Sequence, residues 1–136
     1  LNILPMKNII ALLFVLISTS AFSQTIMADP SSDKPQIEST AANFPNGNKA
    51  FQQLLVNNFK GRNVDCEIAG HQSTTIEFTV EKDGTLSEIK SKGANQSLNT
   101  EAIRVVKSIN IKWIPARSDG KNVRSKFTQP FQFFCD

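Results

Sequence analysis

The chain has 136 residues, of which 40% are hydrophobic and ten are phenylalanine, so it can form the core of one small domain. Its formal net charge is only +3, and Lys and Arg are scattered without a basic run, which argues against a nucleic-acid-binding protein. No repeat with a period of roughly 20 to 50 residues is present, which argues against a solenoid or propeller.

The N-terminus has the pattern of a secretory signal peptide. Met6 and Lys7 form a short positive start, residues 9–17 are all apolar, and small residues follow up to Ser23. We therefore expect a signal peptide over residues 1–23, with translation starting at Met6. The alternative is an uncleaved membrane anchor, but even the wider range 9–22 has only 14 residues, which is short for a hydrocarbon core roughly 30 Å thick.

Residues 24–45 are rich in Ser, Thr, Ala, Asp and Pro, a composition that predicts a disordered tether. The folded domain is then expected over residues 46–136. It should begin with a helix that Asn48 caps, that runs to about Phe59, and that Gly61 terminates.

Two strands and a turn should follow this helix. Strict alternation of apolar and polar residues over 75–81 predicts a first strand with one buried and one wet face. Asp83 and Gly84 then predict a tight hairpin turn. The apolar residues of the return strand, 86–91, are three positions apart, which predicts a β-bulge or a late start of the strand.

A second helix should start at Asn99 as its N-cap, with Glu101 in the first turn. Its apolar stripe comprises Ala102, Ile103, Val106 and Ile109. The last strand is predicted over 122–134, at a sheet edge, because Pro130 has no N–H to donate to a central ladder. A hairpin, a crossover helix and a third strand place the first strand in the middle of the sheet.

Cys66 and Cys135 form an even pair, which in an exported protein predicts a structural disulfide, with two buried free thiols as the alternative. The single histidine, His71, is expected on the surface or in a loop. Neither a nucleophile with its base nor a metal-ligand cluster is recognisable, so we expect no enzyme, no cofactor and no metal site.

Several short motifs occur in a fixed order along the chain. They are Phe44-Pro-Asn-Gly47, Ile76-Glu-Phe-Thr-Val-Glu-Lys-Asp-Gly84, Glu101-Ala-Ile-Arg-Val-Val106, Lys112-Trp-Ile-Pro-Ala116, Gly120-Lys-Asn-Val123 and Pro130-Phe-Gln-Phe133. Their order and spacing resemble the C-terminal domain family of the periplasmic energy-transducing protein TonB, over about residues 44–134. The resemblance implies an α+β fold: an N-terminal helix and then β-β-α-β, with a three-stranded antiparallel sheet whose last strand lies at the edge.

The resemblance also implies a function. It points to a short, secreted, non-enzymatic module in the periplasm of a Gram-negative bacterium, linked to TonB-dependent transmembrane transport. Such a domain binds a peptide strand or a segment of an outer-membrane receptor by β-augmentation. The expected partner-binding edge strand comprises Val123, Arg124, Ser125, Lys126, Phe127, Thr128 and Gln129. A homodimer paired through residues 122–134 is a further expectation. The alternative function is a membrane-anchored accessory of energy transduction that keeps its N-terminal helix.

Overall fold

A computed structural model describes residues 38–136 of the chain. Its elements in chain order are β1 (Ser39–Thr40), α1 (Asn48–Asn58), β2 (Gly70–Val80), β3 (Leu86–Lys92), α2 (Gln96–Ser108), β4 (Ala116–Ser118), β5 (Lys121–Val123) and β6 (Ser125–Cys135). The strands form two antiparallel sheets, a main one in the order β3-β2-β6 and a small one in the order β1-β4-β5. The α+β prediction is confirmed, while the small sheet is an addition to it. The predicted signal peptide and residues 24–37 lie outside the described residues.

The strand β2 is the centre of the main sheet, as predicted. Its ladder with β6 runs from Gly70 opposite Cys135 to Val80 opposite Ser125. β2 therefore starts five residues before the predicted strand, because pairing with β6 continues beyond the segment that alternates in hydrophobicity. The apolar face of β2 is buried, which confirms the alternation; its residues are Ile76, Phe78 and Val80.

The hairpin between β2 and β3 has the predicted turn and bulge. Gly84 adopts a positive φ of 84°, whereas Asp83 does not; the Asp83 carboxylate instead accepts a hydrogen bond from the Thr85 N–H at 3.0 Å. The register between the two strands shifts next to Phe78, where Glu88 has a φ of 51°. A bulge at this point accounts for the irregular apolar spacing of β3.

The two helix N-termini differ from the prediction. Asn48 is the first residue of α1, after Gly47 with a φ of 88°, and no side chain caps this helix. In α2 the cap is Asn95, whose Oδ1 accepts from the Leu98 N–H at 3.0 Å. The predicted cap, Asn99, lies inside the first turn and is buried. The prediction was wrong by one helical turn.

Both helices cover the apolar face of the main sheet. α2 packs over β2 and β3 and lies beside α1. The shared core is dominated by aromatic rings, with Trp113 in edge-to-face contact with Phe51 at 4.9 Å and with Phe127 at 4.7 Å between ring centroids. Trp113 is a packing residue, since its side chain is buried at the corner between α2 and the small sheet.

The segment before α1 is more ordered than its composition suggested. β1 pairs with β4, and Asn43 exchanges backbone hydrogen bonds with Ile114 at 3.0 and 2.8 Å. Phe44 is buried against Trp113, with ring centroids 5.3 Å apart. The predicted disordered tether over 24–45 therefore does not extend over 38–45, because strand pairing and burial of Phe44 hold this part on the domain.

The predicted last strand is divided in two. β5 pairs with β4 across a turn in which Asp119 and Gly120 have φ values of 52° and 73°. Arg124 interrupts the strand, and β6 then pairs with β2. Among residues 38–136, no helix combines the length and hydropathy needed to cross a bilayer.

Candidate functional site

The outer edge of β6 is the candidate site. Within the described residues β6 pairs with β2 alone, so one side of an 11-residue strand has no neighbouring strand. Such an edge presents main-chain donors and acceptors to a further strand. The predicted position of the last strand at the sheet edge is confirmed.

Proline fixes which main-chain groups of β6 point outwards. Thr75 and Pro130 face each other in a ladder without a register shift. Because proline has no N–H, we assign this pair as the non-hydrogen-bonded type, whose main-chain groups point away from the partner strand. The residues of the same parity are Lys126, Thr128, Gln132 and Phe134. Their N–H and C=O groups are therefore presented at the open edge, and Pro130 leaves one gap in the row of donors.

The residues predicted to contact a partner divide into two sets along β6. Lys126 and Thr128 have exposed side chains on the wet face of the sheet. Ser125, Phe127 and Gln129 face the helices, and by parity their main chain pairs with β2. Hence both the main chain and the side chains of Lys126 and Thr128 are accessible to a partner. Ser125, Phe127 and Gln129 instead hold β6 in place by packing under the helices and pairing with β2.

The two predicted residues before β6 do not belong to the same edge. Val123 lies in β5 and pairs with Ala116 of the small sheet. Arg124 crosses the wet face of the main sheet, where its guanidinium lies 3.1 Å from Glu81 Oε1 and 3.5 Å from Glu88 Oε2. A hydrogen bond from Ser87, more than the ion pair with Arg124, lowers the pKa of Glu81 and keeps it ionised at neutral pH.

The helix α1 forms a wall beside this edge. A groove of about 380 Å³ is lined by Gln52, Leu55 and Val56 from α1 and by residues 129–132 of β6. Val56 is 61% exposed although it is apolar. The Gln52 amide lies 3.5 Å from the Gln129 side chain at the base of the groove. Residues 127–134 contain no charged side chain, so the groove is lined by apolar and amide groups.

A buried carboxylate holds the end of α1 in place. Glu101 of α2 accepts hydrogen bonds from the Lys60 N–H at 2.8 Å, from Asn63 at 2.6 Å and from Arg104 Nε at 2.8 Å. Arg104 also donates to the carbonyl of Asn58, the last residue of α1. These contacts, chiefly the one with Arg104, lower the pKa of Glu101 to about 2.

The sequence did not indicate this role for Glu101, which was expected in the first turn of the helix and instead lies in the second, because α2 begins at Gln96. The Glu-x-x-Arg spacing within α2 was the one local signal for the Arg104 contact. The other partners belong to a 3₁₀ turn, Gly61–Asn63, and to the residue before it.

The far end of β6 is fixed covalently. Cys66 and Cys135 form a disulfide with a Cα–Cα distance of 5.5 Å, as predicted. Next to it, the exposed ring of Phe134 contacts His71 edge-to-face at 5.1 Å between centroids. His71 is exposed on β2, as expected. In the part of the chain that the structure describes, no three His, Cys, Asp or Glu residues form a metal-ligand group.

Comparison with known proteins identifies the fold. A family model described as the Gram-negative bacterial TonB protein C-terminal matches residues 67–134, half of the chain. The chain belongs to this TonB C-terminal domain family. No curated protein and no solved structure matches the chain.

The matched part of the TonB C-terminal domain contains the whole main sheet except its last residue, together with α2 and the small-sheet hairpin. α1 and β1 precede the matched residues. The family consists of protein-interaction domains of a transport system, which agrees with a site built from a strand edge. The resemblance found in the sequence is therefore confirmed.

Proposed function

We propose that this TonB C-terminal domain is a periplasmic, non-enzymatic binding module that takes an extended segment of an outer-membrane transport receptor as an added strand beside β6. The observation that carries the proposal is the open outer edge of β6, with the main-chain groups of Lys126, Thr128, Gln132 and Phe134 directed outwards. Main-chain pairing supplies affinity in this mode of binding, and side-chain contacts supply specificity.

Three features make β6 a rigid template. Its inner neighbour is the 11-residue β2, its aromatic side chains pack under α1, and its end is held by the disulfide to Cys66. A preorganised edge loses little conformational entropy when a partner strand pairs with it, so more of the interaction energy contributes to affinity.

The test is site-specific photocrosslinking in the bacterium that encodes the chain. A photoreactive residue at Gln132 lies on the open edge of β6, whereas the same residue at Lys90 lies in β3, at the opposite edge of the sheet. We expect Gln132, and not Lys90, to crosslink to an outer-membrane transport receptor.

A second substitution tests whether the main chain carries the binding. Thr128→Pro removes one outward N–H at the parity that Pro130 already occupies, so the ladder with β2 is retained. We expect the Gln132 crosslink to fall at least fivefold in Thr128→Pro and to persist in Thr128→Ala, since one pairing hydrogen bond is worth about 1 kcal/mol. Equal crosslinking in the two variants, or an equal yield from Lys90, would contradict binding by β-augmentation.

The periplasmic location is part of the proposal. The apolar segment at 9–17 and the small residues that end at Ser23 support export by a cleaved signal. N-terminal sequencing of the protein from a periplasmic fraction should give a mature start at Gln24. A chain that retains Met6 and sediments with the inner membrane would instead support the anchored alternative.

A further inference from the structure

The helix layer of the domain is wider than its sheet. Neighbouring strands lie about 4.8 Å apart, whereas packed helices lie 8–10 Å apart, so two helices cover roughly four strands. The main sheet has three strands in the described residues. Because α2 sits over β2 and β3, α1 is displaced from α2 by about two strand spacings, which brings it over β6 and the vacant position beyond it.

The groove between α1 and β6 lies at this vacant position. Helical periodicity puts Gln52 and Val56 on the flank of α1 next to the buried Phe51 and Leu55, on the side away from α2. We attribute the 61% exposure of Val56 to its place beside the open edge of β6, where the described residues supply no further strand. Val56 is thus an exposed apolar side chain beside two other apolar residues of the groove, Leu55 and Phe131.

We propose that this groove is a specificity pocket that binds one uncharged aliphatic side chain of the extended peptide paired with β6. The inference rests on the proposed function and deepens it. In a sheet, residues directly opposite each other point to the same face. A peptide residue opposite Phe131 therefore points towards α1 and into the groove, and its neighbours in the peptide point towards solvent.

The chemistry of the lining defines the preferred side chain. Val56, Leu55 and Phe131 offer apolar contacts, while Gln52 and Gln129 offer neutral amides. Lys49 is the single charged residue within α1, and residues 127–134 have none. A buried charge on the peptide would lose hydration without gaining an opposite charge, so the pocket discriminates against Asp, Glu, Lys and Arg at this position.

The occupant is a partner peptide rather than a second copy of the chain. A second β6 would present Phe131 or Gln129 to the pocket, since these are its helix-facing residues, and Pro130 of each copy would leave a gap in the row of donors that pairs the two edges. In such a dimer the α1 helices of both copies would lie over the same pair of β6 strands, so the two helices would compete for the same space.

The experiment uses heptapeptides displayed on phage and selected on the full chain purified from the cell envelope. Enriched peptides should have an uncharged aliphatic residue at one position, with period-two alternation around it. A synthetic, fluorescently labelled copy of the most enriched peptide is then titrated with variants of the chain. Val56→Trp fills the pocket and should weaken binding at least tenfold.

Asn57→Trp is the matched control. Asn57 lies on the solvent side of α1, where it accepts a hydrogen bond from Gln53 at 3.0 Å, so a Trp there adds the same bulk away from the pocket. Binding should be unchanged in this variant. Val56→Ala enlarges the pocket and should raise the preference for Leu over Val at the aliphatic position by about fourfold, the value of one buried CH₂ group.

The outcomes separate this inference from the proposed function. Loss of binding in Thr128→Pro together with full binding in Val56→Trp would overturn the pocket and leave strand pairing intact. Failure to enrich any peptide would overturn the proposed function itself.

The identity of the occupant is tested separately. Dimers that Val56→Trp dissociates would show that a second copy occupies the groove. Tighter peptide binding after deletion of residues 24–37 would show that the chain's own N-terminal segment occupies it. Either result would overturn the choice of partner.

Discussion

Gly84 and Trp113 are in direct backbone contact. The Trp113 N–H donates to the Gly84 carbonyl at 2.9 Å, and a Cβ on Gly84 would overlap the Trp113 carbonyl oxygen. The turn between β2 and β3 is thus attached to the segment that leads from α2 into the small sheet. Gly84 is needed both for its φ of 84° and for this close approach.

Replacing this glycine should destabilise the fold strongly. Gly84→Ala combines a strained φ with a steric overlap against backbone, and we expect a loss of about 3 kcal/mol or more in the free energy of unfolding. Gly120→Ala is the control, because Gly120 has a φ of 73° but no atom within 4 Å of the added Cβ. It should cost only about 1 kcal/mol. Urea unfolding measures both, and equal losses would show that the contact with Trp113 contributes nothing.

Because Glu101 is buried and ionised, the free energy of unfolding should decrease at acidic pH. Its pKa in the folded protein is about 2, below the ordinary value of 4.5, so its stabilising effect is complete above pH 4.5 and is lost as the pH falls towards 2. The shift corresponds to about 3 kcal/mol. Between pH 5 and about pH 2, the free energy of unfolding of the wild type should therefore fall by about 3 kcal/mol more than that of Glu101→Gln.

The control for Glu101 is Glu77→Gln. Glu77 forms an exposed ion pair with Lys92 at 3.3 Å, and such pairs contribute little. We expect its stability curve from pH 5 to pH 2 to run parallel to that of the wild type. Parallel curves for the wild type and Glu101→Gln would refute the role assigned to Glu101.

The disulfide should contribute substantially to stability. The two cysteines are 69 residues apart, and closing a loop of that length stabilises by about 4 kcal/mol in the chain-entropy model. A Cys66→Ser, Cys135→Ser double variant should unfold at correspondingly lower urea concentration. Reductant should shift the wild type to the same midpoint and leave the double variant unchanged. A wild type that is insensitive to strong reductant in urea would argue against the assignment.

Pro130 should limit pairing between copies of the chain at the β6 edge. Pro130→Thr restores an outward N–H in the middle of the edge of each copy, and we expect dimers to form at about thirtyfold lower concentration, since the pair recovers two hydrogen bonds of about 1 kcal/mol each. Light scattering over a concentration series measures this. Gln132→Thr introduces the same residue without a new donor and should behave as the wild type. If both variants form dimers at the same concentration, the missing N–H of Pro130 does not limit pairing at the β6 edge.

Local patterns were sufficient to predict the centre and the edge of the main sheet. The alternation around Phe78 identified a strand with one buried face, and Pro130 identified a strand that cannot be central. The paired cysteines were also predictable, because the same topology brings the end of the last strand to the segment before the first. These features depend on rules that act within a strand or between neighbouring strands.

Other features depend on contacts that no local pattern contains. Asn95 and Asn99 are both good capping residues, and what excludes Asn99 is its hydrogen bond from Thr74 of β2. Phe44 follows a polar, proline-containing segment, and its burial requires Trp113 from the other end of the domain. The groove beside β6 combines side chains of α1 with residues of β6, which only the assembled fold brings together.

The bond between Cys66 and Cys135 makes most of the domain a closed covalent ring. β6 is the last strand of the chain, yet it is not a free end that can be withdrawn and exchanged with another molecule. Strand exchange between two copies therefore requires reduction first. The proposed partner segment must therefore add to the outside of β6 rather than replace it. A single proteolytic cut within the ring leaves both pieces joined.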